Sequence, residues 1–394
     1  MYRIPLVKNT FLHEQETKNA LARFVEQADI FSMGTQCRAF ESDFARYQGR
    51  SHAVLFNSGG SANLALLQAL KNERKLKNGD RIGFSAVTWS TNIMPIVQLG
   101  MVPVALDCSR DTLNVDSRDV ERCMDKLDLK ALFITNALGF AGDLDRIRDI
   151  CEDRRLLLLE DNCESLGSEL KGTKLGNFGL GSSFSFFVSH HMSTVEGGMV
   201  CTDDPDLAAM LKLVRANGWD RNLTDDEKQT LRGQYGVDSE LDAKYTFYDL
   251  GYNLRPTEIT GFLGRRQLSY LPLSIVRRER AYLRMEEAMA QNSDLLTVRR
   301  DHLSRISNFA VPILCRTPDL RRTYADKLSA AGVEIRPLIA GNIQRQPFYR
   351  RYASVLRDLP EADFIHDCGL YCGNHPDYDD EELTFLEGCL GGQA

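Results

Sequence analysis

The strongest constraint on the fold is a set of seven short apolar runs between residues 53 and 202. They are AVLF (53–56), RIGFSAV (81–87), VPVALD (102–107), ALFITN (131–136), RLLLLED (155–161), SFSFF (183–187) and GMVCT (198–202). Most are apolar at consecutive positions rather than alternating, so each strand is expected to be buried on both faces. Helix-like segments lie between them, among them Ser61–Asn72, Ser117–Lys126 and Leu144–Asp153. Such alternation predicts an α/β fold around a mainly parallel sheet. Past about residue 260 the rhythm changes, and a charged helix candidate, LSIVRRERAYLRMEEAMAQ (273–291), leads into shorter mixed elements. The expected organisation is a large domain over 1–260, with an N-terminal arm, and a small C-terminal α+β domain over 261–394. The span 218–256 is polar and turn-rich, too long for an ordinary connection, and reads as a functional excursion.

Composition narrows the function. A net charge of -7 at pH 7 argues against a nucleic-acid polymer or an anionic membrane as partner. There is no apolar run of membrane-spanning length, and the opening MYRIPLVKNTF lacks the apolar core of a secretory leader. The expected location is the cytoplasm. The ten cysteines are scattered, Cys368 and Cys372 being the closest pair, and none forms a CxxC. Reduced thiols are expected, with no metal site and no disulfide framework.

Five stretches carry chemistry. In NSGGSANLALLQAL (57–70), Gly59 and Gly60 let the backbone approach a ligand, and Ser61 with the first helix amides suits a phosphate. In LLLLEDNCESLG (156–167), a buried strand delivers Glu160 and Asp161 to its C-terminal end, where ligands bind in open α/β sheets. In FSAVTWSTN (84–92), Trp89 offers an aromatic face at a strand end. SFSFFVSHHMSTVEGGMV (183–200) sets Ser185 five residues before His190, with His191 beside it and a Glu-Gly-Gly turn after. LGYNLRPTEITG (250–261) gathers Tyr252, Asn253 and Arg255 before Pro256, which reads as the first residue of a helix. Each stretch alone also has an ordinary reading, as a helix cap, a packed aromatic or a loop.

Together, in this order and spacing, they resemble the sugar aminotransferase/dehydratase family of pyridoxal-phosphate enzymes, over nearly the whole chain from PLVKNTF to YCGNH. The resemblance implies the aspartate-aminotransferase type I fold. It implies that Gly59, Gly60, Ser61 and Ser185 hold the cofactor phosphate and that Trp89 stacks on its pyridine ring. Asp161 would pair with the ring nitrogen and Glu164 would lie near the phenolic edge. Asn253 would complete the phosphate site of a second subunit, making a homodimer with shared sites. Arg221 and Arg336 would bind an anion, either the carboxylate of L-glutamate or a sugar-nucleotide phosphate.

His190 stands where aminotransferases of this family carry the lysine that holds the cofactor. Imidazole forms no stable Schiff base of that kind, so pyridoxal 5'-phosphate and its amine form are expected to bind non-covalently. Histidine keeps the acid/base role, since it titrates close to working pH. The combination is the pattern of the family's 3-dehydratases, which remove the C3 hydroxyl of a nucleotide-linked 4-keto-6-deoxy sugar and release ammonia. GDP-4-keto-6-deoxy-D-mannose is the expected substrate. With no cysteine between Cys201 and Cys315, no iron–sulfur cluster and no reductase partner are expected. If the segment around His190 is extended, His190 and His191 point to opposite sides. Two positions depart from the pattern: Asn217 replaces an expected histidine, and SRISNFAVPI (304–313) lacks an expected aromatic-rich segment. Two alternatives stay open, a true aminotransferase using Lys171 or Lys174, and a non-catalytic binder of the cofactor or a sugar nucleotide.

Overall fold

The computed structural model describes residues 2–392. All seven apolar runs form strands of one sheet. In chain order these are β1 (His52–Phe56), β2 (Arg81–Ser85), β3 (Val102–Leu106), β4 (Leu129–Thr135) and β5 (Leu157–Asp161). A small hairpin, β6 (Glu169–Leu170) and β7 (Thr173–Lys174), precedes β8 (Gly181–Ser185) and β9 (Gly198–Thr202). The sheet order is β1-β9-β8-β5-β4-β2-β3, and only β9 runs against the rest. Helices cover both faces, which is why the strands are apolar without alternation. Val54, Phe84, Leu132, Leu159 and Phe184 are all within 1% of full burial.

This topology aims the C-terminal ends of β1, β2, β4, β5 and β8 at one edge of the sheet. Behind β8 sits an aromatic cluster in which Phe184 and Phe186 pack on Phe44 at 5.2 and 5.3 Å between ring centroids. Each such buried ring stabilises the fold by about 1.5–3 kcal/mol. The strand alternation runs two residues past the end of β8. Phe184 and Phe186 therefore go into the core while Ser185 and Phe187 face the sheet edge.

The C-terminal part builds an antiparallel sheet of β10 (Leu295–Leu296), β12 (Ala310–Cys315), β13 (Ile335–Pro337) and β14 (Gly369–Gly373), ordered β10-β12-β14-β13. β11 (Leu303–Arg305) instead pairs with β6 and so ties this part to the first. The charged helix is longer than expected: it spans Glu258–Ala290 and runs through Pro272 without ending. Thr257 caps it in a reciprocal box with Thr260, so Pro256 lies before the cap rather than inside the first turn. The helix packs on Thr35–Gln48 and on Asp380–Leu390, and the expected division at residue 260 falls within it. The N-terminal arm docks on the C-terminal part, where Arg3 and Ile4 donate to the Gly332 carbonyl. The polar span 218–256 contains helices that its turn-rich sequence did not announce, Asp225–Tyr235 and Glu240–Ala243. Its ends are clamped together by a Tyr248 amide to Gly218 carbonyl bond of 2.8 Å. No helix among the described residues is long and apolar enough to cross a membrane.

Candidate active site

The strand ends open into a cavity of about 430 Å³ that brings together Gly59, Gly60, Trp89, Asp161, Glu164, Ser185 and His190. The helix Gly59–Asn72 starts at its floor. Ser58 is the N-cap, its hydroxyl accepting from the Ser61 amide at 3.1 Å. The free amides of the first turn therefore belong to Gly59 and Gly60, as an anion site requires. Gly59 and Gly198 are both demanded by close approach. A Cβ on Gly59 would lie 2.7 Å from Ser185 Cβ, and one on Gly198 would lie 2.2 Å from the Ser58 carbonyl oxygen. Ser61 sits one step back: it is absent from the cavity wall, and its hydroxyl is 3.0 Å from that of Ser58. Ser58, a residue with no motif of its own to mark it, does line the cavity.

Asp161 is buried at the end of β5 and held by three donors. Asn63 and Asn92 side-chain amides donate to Oδ2 at 2.9 and 2.8 Å, and the Cys163 amide donates to Oδ1 at 2.9 Å. The Asn92 orientation is set in turn. Thr88 donates to Asn92 Oδ1 at 3.0 Å, so its 2.6 Å contact with Thr135 must be one that Thr135 donates. A carboxylate accepts about four hydrogen bonds, so one acceptor position remains for a ring N–H in the cavity. Trp89 stands at the mouth, 58% exposed, as part of the cavity lining. Aromatic face, carboxylate and glycine-lined anion site thus fit pyridoxal phosphate. Asn63 and Asn92 were missed in the sequence. The one available signal was a polar residue inside the apolar helix SANLALLQAL, where Asn63 is fully buried.

His190 is not on an extended segment. The chain turns after Phe187, whose carbonyl accepts from the His190 amide at 2.9 Å. His190 faces the cavity and His191 is buried behind it, so the two separate through a turn and not through a pleat. His190 Nδ1 bonds the Cys163 carbonyl. A carbonyl only accepts, so Nδ1 carries the proton and the neutral ring offers Nε2 as the base. Burial pushes the His190 pKa below its usual value, with the Arg278 cation adding to that; the Cys163 bond and Asp161 oppose it. The ring stacks on Phe309 at 5.5 Å and meets Phe187 edge-on at 6.3 Å. Phe309 comes from the 304–313 segment, so that segment does supply one aromatic to the site.

Glu164 lines the cavity and accepts from the Leu138 amide at 2.9 Å. Burial pushes its carboxyl up to about 8; Asp161 adds to the rise and the Leu138 bond opposes it. Among the described residues no lysine lines the cavity. Lys171 is on the surface, paired with Asp145 at 2.5 Å, and Lys174 bonds the Tyr47 carbonyl. Besides Ser61, three expected residues lie off the wall of their own chain's cavity. Asn253 is exposed, accepting from Arg255 at 3.0 Å. Arg221 is exposed over Trp219, and Arg336 is paired with Glu334 at 2.6 Å. Arg336 nevertheless sits opposite Tyr371 in the β13–β14 register, and Tyr371 lines the cavity.

Known proteins resemble the chain along its whole length. The profile of the DegT/DnrJ/EryC1/StrS aminotransferase family matches residues 12–387. GDP-4-keto-6-deoxy-D-mannose 3-dehydratase of Yersinia pseudotuberculosis is 34% identical over 379 residues, covering 95% of each chain. The solved structure of the E. coli enzyme of that name, with bound hydrated pyridoxal phosphate, superposes with a TM-score of 0.90 at 31% identity, covering 99% of this chain and 100% of that one. A GDP-4-keto-6-deoxymannose-3-dehydratase solved with a trapped pyridoxal-phosphate–glutamate geminal diamine superposes at 0.89 with 30% identity, covering 98% and 100%. With its aminotransferase-type fold and a cavity shaped for pyridoxal phosphate, the chain belongs to the DegT/DnrJ/EryC1/StrS aminotransferase family.

Proposed function

We propose that the chain is a pyridoxal-phosphate-dependent 3-dehydratase of a nucleotide-linked 4-keto-6-deoxy sugar, GDP-4-keto-6-deoxy-D-mannose being the substrate best supported, with L-glutamate as amino donor. The observation that carries this is a cavity with a histidine and no lysine. An enzyme without that lysine holds its cofactor by non-covalent contacts alone. It also has no amine of its own with which to complete an ordinary amine transfer.

When bound, the cofactor supplies an electron sink conjugated to the sugar at C4. The rest is the work of side chains. Gly59 and Gly60 amides with the Ser185 hydroxyl hold the phosphate, and the Ser58 cap keeps that turn open toward it. Asp161 holds the ring nitrogen protonated, and Trp89 covers the ring face. His190 Nε2 takes the proton from the cofactor's C4′ carbon and gives it to the departing C3 hydroxyl. Proton transfer of this kind is worth about 10²–10⁴-fold. Phe187 and Phe309 flank the imidazole and keep water from it. The product leaves to hydrolyse into a 4-keto-3-deoxy sugar and ammonia.

Asn253 supports a homodimer with shared sites, since its exposed side chain is absent from its own cavity. Arg221 and Arg336 are proposed to meet the substrate's charged groups at the rim. Alternative lysine bases gain no support, because Lys171 and Lys174 are both committed elsewhere.

The test is incubation with pyridoxal phosphate, L-glutamate and a panel of 4-keto-6-deoxy sugar nucleotides. The expected outcome is a product lighter by one oxygen, with ammonia and 2-oxoglutarate in equal amounts. An amino sugar product sinks the dehydratase reading, and no turnover with any sugar favours a binding protein. Asn253→Ala should weaken cofactor retention without unfolding; a fully active monomer contradicts the shared site.

A further inference from the structure

The long helix Glu258–Ala290 carries four arginines in VRRERAYLR (276–284). Arg277, Arg280 and Arg284 lie toward solvent and pair with Asp377, Asp380 and Glu387. Arg278 turns inward, is 3% exposed, and makes no ion pair among the described residues. Its guanidinium meets only backbone carbonyls. Nη1 donates to those of Asn374 at 2.5 Å, Phe309 at 3.2 Å and Asn308 at 3.5 Å. Nη2 reaches the His190 carbonyl at 3.5 Å, the long end of the range. A buried cation without a counter-ion is costly to keep, and a leucine or methionine would fill the space more cheaply. The carbonyls it gathers explain its presence, because they come from the turn after β8, the lead-in to β12 and the end of β14.

These segments also frame His190. The Phe309 ring lies on the imidazole with 24° between planes. Two residues earlier, the Ser307 carbonyl is bonded by His191 Nε2 at 2.8 Å. Asn374 Nδ2 donates to the Asn308 carbonyl and to that of Arg278, both at 3.1 Å. The Phe309 segment is thus fastened on both sides of the ring it presents.

We propose that Arg278 is a positioning residue for His190. Its planar fork joins the Phe309 backbone to the His190 turn, so that the stacked imidazole keeps one nitrogen on the cavity. This rests on His190 being the catalytic base. Lysine does not substitute, because one ammonium cannot span carbonyls on two sides as a guanidinium does. The charged and titratable groups around the imidazole are Arg278 from the long helix, Asp161, Cys163 and Glu164 from the end of β5, His191 beside it, and Glu196 and Tyr371, which line the same cavity. Removing the Arg278 cation should let the ring protonate at a higher pH.

The experiment compares Arg278→Lys, Arg278→Met and Phe309→Leu in the full chain, with melting curves to verify folding. The seven histidines are labelled with ring carbon-13, and His190→Asn identifies the resonance. In the cofactor-free protein, Phe309→Leu should remove the upfield ring-current shift of His190, and Arg278→Met should raise its titration midpoint. In the loaded enzyme, both Arg278 variants should lose about ten- to a hundred-fold in kcat, with KM for the sugar nucleotide held within about threefold. Arg278→Lys should lose kcat while titrating near wild type. Wild-type kcat in a folded Arg278→Lys, or a His190 titration midpoint unchanged in a folded Arg278→Met, overturns the proposal. If neither Arg278 variant folds, Phe309→Leu decides: reduced kcat with the ring-current shift gone supports the clamp, and wild-type kcat overturns it. Full activity in His190→Asn would instead remove the catalytic reading itself.

Discussion

Two regions at the sheet edge each set two like residues side by side and send them to different work. At the end of β5, Asp161 enters the cavity while Glu160 turns into the fold. There Glu160 accepts from the amides of Gly176, Phe178 and Gly179 at 2.7, 2.8 and 2.9 Å. After β8, His190 enters the cavity while His191 is buried against the Ser307 carbonyl. The carboxylates are separated by the pleat, since neighbours on a strand face opposite ways. The histidines are separated by a turn closed from His190 back to Phe187. A pleat can be read from sequence and a turn of this kind cannot. In both regions one residue of the pair enters the cavity and the other holds the wall.

The histidine pair gives the largest expected contrast. His190→Asn should keep cofactor binding but lower C3 dehydration by about 10²–10⁴-fold or more, as loss of a general base does. His191→Asn should cost far less in rate, since its ring touches only protein. The pH profile sharpens this. The His190 pKa lies below its usual value, chiefly through burial. The ring is therefore neutral and competent at neutral pH, and kcat/KM should fall only on the acid side, below the ordinary histidine range. A dead His191→Asn beside an active His190→Asn would reverse the assignment.

The carboxylate pair should break the other way. Asp161→Asn should cut turnover by about 10²–10³-fold, in line with loss of an electrostatic partner of the reacting system, with the fold intact. Glu160→Gln sets an amide donor against backbone donors and should destabilise by about 2–4 kcal/mol. Its kcat per folded site should stay near wild type. Calorimetry and rates on both variants decide it, and a stable but inactive Glu160→Gln would contradict the division of labour.

Glu164 gives the smallest effect, and its sign is fixed. Its ordinary value is 4.5 and burial raises it to about 8 in the folded chain. The folded state holds a proton that the unfolded state has lost in that window. The stabilisation is fully present below 4.5 and is lost as pH rises through 8. In the cofactor-free protein, Glu164→Gln should therefore gain melting temperature on wild type as pH rises across this range. Parallel curves would show that Glu164 ionises normally.

What could be read in the sequence follows from the same physics. Continuous apolar runs located every strand of the main sheet, because burial on both faces leaves a local signature. Strand ends then placed Trp89 and Asp161 at one edge, the family resemblance added Ser185, and the structure gathers all three around one cavity. Phe309 and Tyr371 come to the same cavity from the lead-in to β12 and from β14, more than a hundred residues downstream of His190. No local pattern announces such an approach. The long helix was read as starting after Pro272, since proline usually ends helices. Here tertiary packing carries the helix through it, with Leu271 and Ser274 buried on either side. Ser61 was expected at the anion site, yet caps and ligand contacts look alike in sequence; the hydrogen bond from the Ser61 amide shows Ser58 to be the cap.

The central claim is that the cofactor is held without a covalent bond, with His190 at the place of the missing lysine. Borohydride reduction of the pyridoxal-phosphate form, followed by intact mass, tests it directly. The expected result is unmodified protein and full release of the reduced cofactor on denaturation. A stoichiometric pyridoxyl adduct, on Lys171, Lys174 or any other lysine, would contradict it.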